Sequence, residues 1–329
     1  MSNQEEWNKK VEHPLQAYEW GEFREMTGVK VVRAGGIQIT IHKVPHTPWS
    51  VGYAPKIITP LNQNTIKTLE EIARENRCIF IKLEPKQEIT PLNQKTIETL
   101  MGELGLVEGR PLFTKYNFVL EVTPKEEDLL AGFKPKTRYN IRVAEKKGVK
   151  VEIDDTEQAF KRYLDLTEET TKRQGFYAHG PKYHQAMWRI LGKSEIRNPK
   201  SELTAHLLVA KYQGEIITTW VLFKFKDTLY YPYGASTREH RNVMANNLVM
   251  WEAIKLAKKW GLKYLDMWGA LGPEADKRDA WYGFHTFKAG YGGWHVEYIG
   301  SFDYVAKPWV YKIFRVIEEI RWRVLRLIK

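Results

Sequence analysis

The chain has 329 residues, 43% apolar and 13% aromatic, a composition that excludes a mostly disordered chain and suffices for two ordinary cores. Its formal net charge of +11 favours polyanionic partners: nucleic acid, an anionic membrane surface or a phosphate-bearing substrate. The one cysteine, Cys78, excludes an internal disulfide, and with a polar N-terminus and no apolar run near the roughly 18 residues of a membrane span, the expected location is cytoplasmic.

In chain order, residues 29–34, Gly35-Gly36 and 37–44 predict a hairpin. Residues 45–60 read as a loop with a short strand near 51–53. A helix over 65–75, a buried strand over 78–83, a helix over 96–103 and an alternating strand over 116–122 follow. The phrase Thr-Pro-Leu-Asn-Gln-x-Thr-Ile-x-Thr-Leu occurs at 59–69 and again at 90–100. One repetition is too few for a solenoid and reads as the same helix start used twice. An acidic turn at 125–128 marks the expected domain boundary.

A short, strongly basic helix comes next. On an ideal helix Arg138, Arg142 and Lys146 share one face at i, i+4, i+8. Gly148 closes the helix, and residues 149–154 alternate as a half-buried strand. Planar guanidinium forks in a row suit phosphate or carboxylate groups; a solvated basic face has the same pattern.

The second half is more regular. Helices over 157–173 and 182–191 precede strands over 203–212, 215–226 and 229–233, a meander joined by tight turns. A long helix over 243–260 stops at Gly261, then a strand over 263–268, a helix over 281–288 and a strand over 294–300 follow. This is the element order of the acyl-CoA N-acyltransferase (GNAT) fold, and the first half is a looser version of it. The expected class is α+β: two GNAT-like domains, each a mixed, mostly antiparallel sheet flanked by helices. The expected domains are 1–128, joined by the C-terminal segment 301–329, and 129–300.

Residues 308–329 read as one amphipathic helix. Val310, Ile313, Phe314, Ile317, Ile320, Val324 and Leu327 make an apolar stripe. Lys312, Arg315, Arg321, Arg323, Arg326 and Lys329 make the helix cationic, with Trp309 and Trp322 as interfacial rings. Two uses compete: packing on the first domain, or lying on the inner membrane face.

Four motifs run in order along the chain. They are Trp20-Gly21-Glu22-Phe23-Arg24; Lys136-x-Arg138-x-x-Ile141-Arg142-x-Ala144-Glu145-Lys146-x-Gly148-Val149; Tyr231-Pro232-Tyr233-Gly234-Ala235-Ser236; and Phe287-Lys288-x-Gly290-Tyr291-Gly292-Gly293. With them the chain resembles the Fem-type peptidoglycan branching aminoacyltransferases. These non-ribosomal peptidyltransferases carry an amino acid from aminoacyl-tRNA to an amine on a cell-wall precursor. No sustained heptad run is present, so the resemblance is to the compact members that lack a coiled-coil arm.

The resemblance implies aminoacyl-tRNA as the acyl donor, with no cofactor. It implies a peptidoglycan precursor, lipid-linked or nucleotide-linked, as the acceptor. Lys288 would stabilise the tetrahedral oxyanion, with Phe287 beside it in the motif. On spacing alone Lys288 reads equally as a surface lysine at a helix end stopped by glycine. Asp266, at a strand end, is a candidate to assist proton removal and equally a capping carboxylate. Arg24 and Lys56 fall where the resemblance implies substrate contacts from the first domain, and Tyr183, Tyr231 and Tyr233 are candidate peptide contacts. Arg138, Arg142 and Lys146 are candidates for tRNA phosphate, acceptor phosphate or a domain brace.

Two other functions compete with this one. An ordinary GNAT acetyltransferase would need a glycine-rich loop for the CoA pyrophosphate, but the corresponding place reads Arg241-Asn242-Val243-Met244-Ala245, with Met244 for the middle glycine. A non-catalytic RNA-binding module would leave Lys288 unexplained. Nine scattered histidines form no metal-binding spacing, so no metal site is expected.

Overall fold

In the computed structural model the described residues are 3–90, 94–174, 179–192 and 201–327. The chain divides into two compact units, residues 1–113 with 298–329, and residues 114–297.

The first unit is built on a six-stranded sheet. Strands β1 (Lys30–Ala34), β2 (Ile37–Lys43), β3 (Ser50–Ile57), β4 (Cys78–Pro85) and β5 (Val107–Glu108) come from its first segment, and β13 (Phe302–Val305) from its last. The order is β1-β2-β3-β4-β13-β5, with β3 and β4 parallel and all other neighbours antiparallel. Helices α1 (Asn3–Asn8) and α2 (Tyr18–Met26) precede the sheet, and α2 carries the Trp20–Arg24 motif. Helix α3 (Gln63–Glu75) packs Leu69 and Ile72 on Ile39, Ile81 and Leu83. Asn62 caps α3 by accepting from Thr65 N at 3.0 Å. The second copy of the repeated phrase leads into α4 (Gln94–Gly102), and its residues 91–93 lie outside the described ones.

Residues 50–57 were expected to be mostly loop and form a full strand instead. β3 lies between β2 and β4 and is largely buried, so the alternation that marks a half-exposed strand is missing. Pro55, which has no N–H for the ladder, disguises it further. The register shifts between Pro55 and Ile57, and Lys56 takes a left-handed backbone with φ 52°.

The second unit is built on a seven-stranded sheet, in the order β12-β6-β11-β10-β9-β8-β7. Its strands are β6 (Tyr116–Glu121), β7 (Lys150–Ile153), β8 (Thr204–Tyr212), β9 (Glu215–Phe225), β10 (Thr228–Ser236), β11 (Tyr264–Ala270) and β12 (Trp294–Glu297). The boundary expected near 128 therefore moves to 113/114, because β6 pairs antiparallel with both β11 and β12. The acidic turn is a helix, α5 (Glu126–Gly132), whose first-turn Glu126, Glu127 and Asp128 complement the positive end of its dipole. The strand expected over 294–300 ends at Glu297, and a further strand that was not expected, β13, follows at Phe302 in the other sheet.

Helices α6 (Pro135–Lys146), α7 (Glu157–Gln174), α8 (Pro181–Leu191), α9 (Ala245–Lys259) and α10 (Tyr282–Lys288) flank this sheet. The core lies between sheet and helices, with Leu248, Val249 and Ile254 of α9 packed with Trp220, Leu222 and Leu265. The last helix, α11 (Pro308–Leu327), belongs to the first unit.

One irregularity prepares the site. β10 and β11 pair in parallel only over Thr228–Tyr230 against Tyr264–Asp266. Just beyond, the β10–β9 register shifts between Tyr230 and Tyr233, and the β11–β6 register shifts between Asp266 and Gly269. The two strands cease to pair there, and the sheet opens.

Candidate active site

Two cavities of the second unit meet at this opening. One, of about 290 Å³, is walled by Tyr163, Tyr231, Tyr233, Trp268, Trp281 and Phe284, with His184 and Lys288. The other, of about 380 Å³, lies at the N-terminus of α9 and is lined by Arg173, Arg241, Met244, Asn246, Asn247 and Phe287. Tyr231, Gly234, Ala280 and Phe284 belong to both walls. Neighbours on α10, Phe287 and Lys288, thus serve one cavity each.

Lys288 occupies the last turn of α10 and is only 7% exposed. Its Nζ donates to the carbonyl oxygen of Gly269 at 2.7 Å, at the irregular end of β11. That carbonyl is its one hydrogen-bond partner among the described residues, which leaves two N–H groups for a ligand. The ammonium also sits 5.8 Å from the centre of the Tyr231 ring. Burial lowers its pKa from 10.5 to about 8, and the Asp266 carboxylate acts in the opposite sense. At neutral pH the group is still mostly charged, and little water screens it.

The glycines after Lys288 serve packing of the backbone. A Cβ on Gly290 would lie 2.4 Å from Thr137 Oγ1 on α6, and one on Gly293 would lie 2.5 Å from Val119 O on β6. This close approach lets Gly290 O accept from Lys134 N at 2.9 Å. The motif thereby fixes α10 between α6 and β6.

Asp266 takes the capping role. It is buried, and its oxygens accept from Asn117 Nδ2 at 3.1 and 3.2 Å and from Trp268 N at 2.7 Å. Trp268 has a left-handed backbone, φ 63°, a costly conformation for a bulky residue. The carboxylate holds that turn and lies behind the cavity wall that Trp268 and Gly269 form. A proton acceptor in direct contact with substrate is therefore not what this geometry makes of Asp266.

Tyr231 and Tyr233 share the aromatic wall, and Tyr183 lies beside Tyr233, in two different settings. Tyr231 stacks on Trp220 with centroids 3.6 Å apart, and burial pushes its phenol pKa up. The hydroxyls of Tyr183 and Tyr233 are 3.4 Å apart. Sequence reasoning missed His184 and Tyr163, whose Nδ1 and hydroxyl share a hydrogen bond of 3.0 Å. Burial lowers His184 to about 4, so it faces the cavity as a neutral ring. The wall is assembled from α7, α8, β10, β11 and α10, and no local pattern reports that assembly.

The basic row divides. Arg138 is half-buried and its guanidinium donates to the carbonyls of Ala131 and Phe133, at the end of α5. It is a brace. Arg142 and Lys146 are exposed. Beside them Lys147 donates to Asn242 O at 3.1 Å, which ties the end of α6 to the loop that opens the larger cavity.

Arg24 and Lys56 lie in the first unit and line neither cavity. Arg24 is half-buried in the last turn of α2. Lys56 is buried, its ammonium 3.3 Å from the centre of the Tyr298 ring and 4.3 Å from that of Phe113. This cation–aromatic sandwich gives Lys56, for which the resemblance implies a substrate contact, a packed setting. Among the described residues no cluster of His, Cys, Asp and Glu could hold a metal, and no helix is long and apolar enough to cross a membrane.

Residues 133–278 match the family described as Acetyltransferase (GNAT) domain. The lipid II:glycine glycyltransferase of Staphylococcus aureus strain USA300 is 24% identical over 409 aligned positions, which take in 99% of this chain and 96% of that protein. This chain has only 329 residues, so the relative carries insertions. The form from strain MRSA252 is 24% identical over 391 positions, covering 95% and 92%. Among solved structures, FemX superposes with a TM-score of 0.81 at 19% identity, over 95% of this chain and 98% of that one. L-PGS from Bacillus licheniformis shares the fold more loosely, with a TM-score of 0.56 at 13% identity over 92% and 91%. The chain is thus an acyl-transfer enzyme of GNAT fold, similar along nearly its whole length to the lipid II:glycine glycyltransferases and, in fold, to FemX.

Proposed function

We propose that the protein transfers an amino acid, with glycine the first candidate, from aminoacyl-tRNA to an amine of a peptidoglycan precursor. The name of the relatives, lipid II:glycine glycyltransferase, supports the acceptor class. The observation that carries the mechanism is the buried Lys288 ammonium where two cavities meet, with two N–H groups to spare.

The donor ester is already activated, so no side-chain nucleophile is needed. The acceptor nitrogen attacks the ester carbonyl carbon, a C–N bond forms, and the carbonyl oxygen becomes an oxyanion. Lys288 donates to that oxyanion. Such a donor in a water-poor site contributes about 10²–10³ in rate. Collapse breaks the bond to the tRNA ribose oxygen, which leaves as a hydroxyl once it takes up a proton. The attacking nitrogen releases its own proton to water or to the substrates.

The larger cavity is the reading for the donor's 3′ end. The N-terminus of α9 and the guanidinium groups of Arg173 and Arg241 suit phosphate there. The exposed Arg142 and Lys146 continue that cationic surface along α6. The aromatic cavity receives the acceptor amine, with ring faces that suit both its apolar stem and its cationic head. Incubation with a mixed pool of charged tRNAs and both lipid-linked and nucleotide-linked precursors, followed by mass measurement, tests the assignment. A precursor heavier by one aminoacyl residue supports it; unchanged precursors with intact charged tRNA contradict it.

The GNAT match favours one second reading, transfer from acyl-CoA into the same larger cavity. Met244 stands against it. It has the left-handed backbone, φ 57°, that a glycine would supply, yet it brings a side chain to the cavity wall. Calorimetry with acetyl-CoA separates the two readings.

A further inference from the structure

Helix α11 carries two apolar faces, and among the described residues only one of them is packed. On the inner face Tyr311 is buried, and the Phe80 ring of β4 lies 5.2 Å from Tyr311 and 5.4 Å from Phe314. Tyr311 Oη donates to Asp303 Oδ2 at 2.8 Å, and Asp303 is itself paired with Lys82 at 2.6 Å. The helix is therefore anchored without its remaining apolar residues.

Those residues are Trp309, Ile313, Val316, Ile317 and Ile320, which are 79%, 63%, 58%, 60% and 56% exposed. At about 100° per residue they fall in one stripe roughly 100° wide, turned away from Tyr311. Lys312 and Arg323 border one edge of the stripe and Arg321 the other; Glu319 is held by Arg323 at 2.6 Å. The side chains of Trp322 and residues 324–327 lie outside the described ones. A contiguous apolar stripe of this kind marks a contact surface. Its apolar centre does not suit nucleic acid. Its cationic borders, the terminal tryptophan and a chain charge of +11 complement an anionic bilayer.

We propose that this face of α11 docks the protein on an anionic lipid surface. Trp309, Ile313, Ile317 and Ile320 enter the headgroup boundary, and Lys312 and Arg321 meet lipid phosphates. The inference goes beyond the transfer reaction and does not rest on it, because docking is read without donor or acceptor.

The test is sedimentation of the full chain with vesicles of phosphatidylcholine alone or mixed with phosphatidylglycerol. The expected result is binding to the mixed vesicles, weakened by salt. The double variant Ile317→Asn, Ile320→Asn should lower that partitioning about tenfold or more, with an unchanged circular dichroism spectrum. Lys312→Glu with Arg321→Glu should abolish the preference for phosphatidylglycerol. Absence of binding to the mixed vesicles, or equal binding by the double variant, overturns the proposal. So does concentration-dependent self-association that the double variant loses while vesicles bind neither form, because the face would then pair two copies of the chain.

Discussion

Replacing Lys288 by methionine interrogates the site through stability before any turnover is measured. Burial lowers the ammonium from 10.5 to about 8. That depression corresponds to roughly 3 kcal/mol acting against the folded state wherever the lysine is charged both folded and unfolded. Methionine keeps the apolar stem as far as Cε, without the terminal nitrogen, and removes that cost. It also leaves Gly269 O without its donor, a loss of about 1–3 kcal/mol. The two terms nearly cancel, so Lys288→Met should shift stability at pH 7 by at most about 2 kcal/mol, towards greater stability. The pH dependence is the sharper signature. Between about pH 8 and 10.5 the unfolded chain keeps the proton at position 288 and the folded protein releases it. Wild-type stability should therefore rise relative to the variant by about 1 kcal/mol per pH unit in that window. Urea titrations followed by tryptophan fluorescence from pH 7 to 10 measure the difference. Parallel stability curves for the two proteins would show that the ammonium is not desolvated and refute the reasoning.

Three further outcomes follow from the same geometry. His184, lowered to about 4 by burial, stays neutral in the fold while the unfolded chain takes up a proton near 6.5. Stability present above pH 6.5 should fall by up to about 3 kcal/mol as the pH drops to 4, and His184→Leu should flatten that slope in denaturant midpoints. Asp266→Ala removes the acceptor for Trp268 N and Asn117, and should cost about 2–4 kcal/mol in denaturation while lowering the Lys288 pKa further, read as an acid shift of the pH–rate profile. Met244→Gly keeps the left-handed backbone and clears the cavity wall, so calorimetry should detect acetyl-CoA binding by the variant and not by the wild type. Equal binding by both would remove Met244 as the obstruction.

The fold was legible where a segment had a clear period or an apolar run bounded by turns, as in the buried strand β4. The β8–β9–β10 meander, α7, α9 and the hairpin of β1 and β2 all show their period in the sequence. β3 and β13 were not legible. β3 lacks alternation and contains Pro55; β13 has four residues and follows shortly after β12, although it belongs to the other sheet. The boundary was misjudged because β6 looks like the close of the first sheet, and its partners β11 and β12 arrive about 150 and about 180 residues later. At the site, the glycine-framed Lys288 stood out by type and spacing. The aromatic wall around it did not, because Tyr163, His184, Tyr233 and Trp268 are each indistinguishable from core residues until the chain brings them together. Arg138 was left open between a ligand contact and a brace, and Lys56 was singled out by the resemblance; hydrogen bonds to helix-end carbonyls and flanking aromatic rings, which no local pattern reports, give them structural surroundings.

The central claim is that the Lys288 ammonium stabilises the oxyanion formed as an amine takes an acyl group from an activated ester. The most direct measurement is the single-turnover rate of aminoacyl transfer from charged tRNA to a precursor amine by wild type and by Lys288→Met, with folding of both checked by circular dichroism. The account predicts a folded variant whose transfer rate is lower by about 10²–10³ at unchanged donor affinity. A folded variant that transfers at close to the wild-type rate contradicts it.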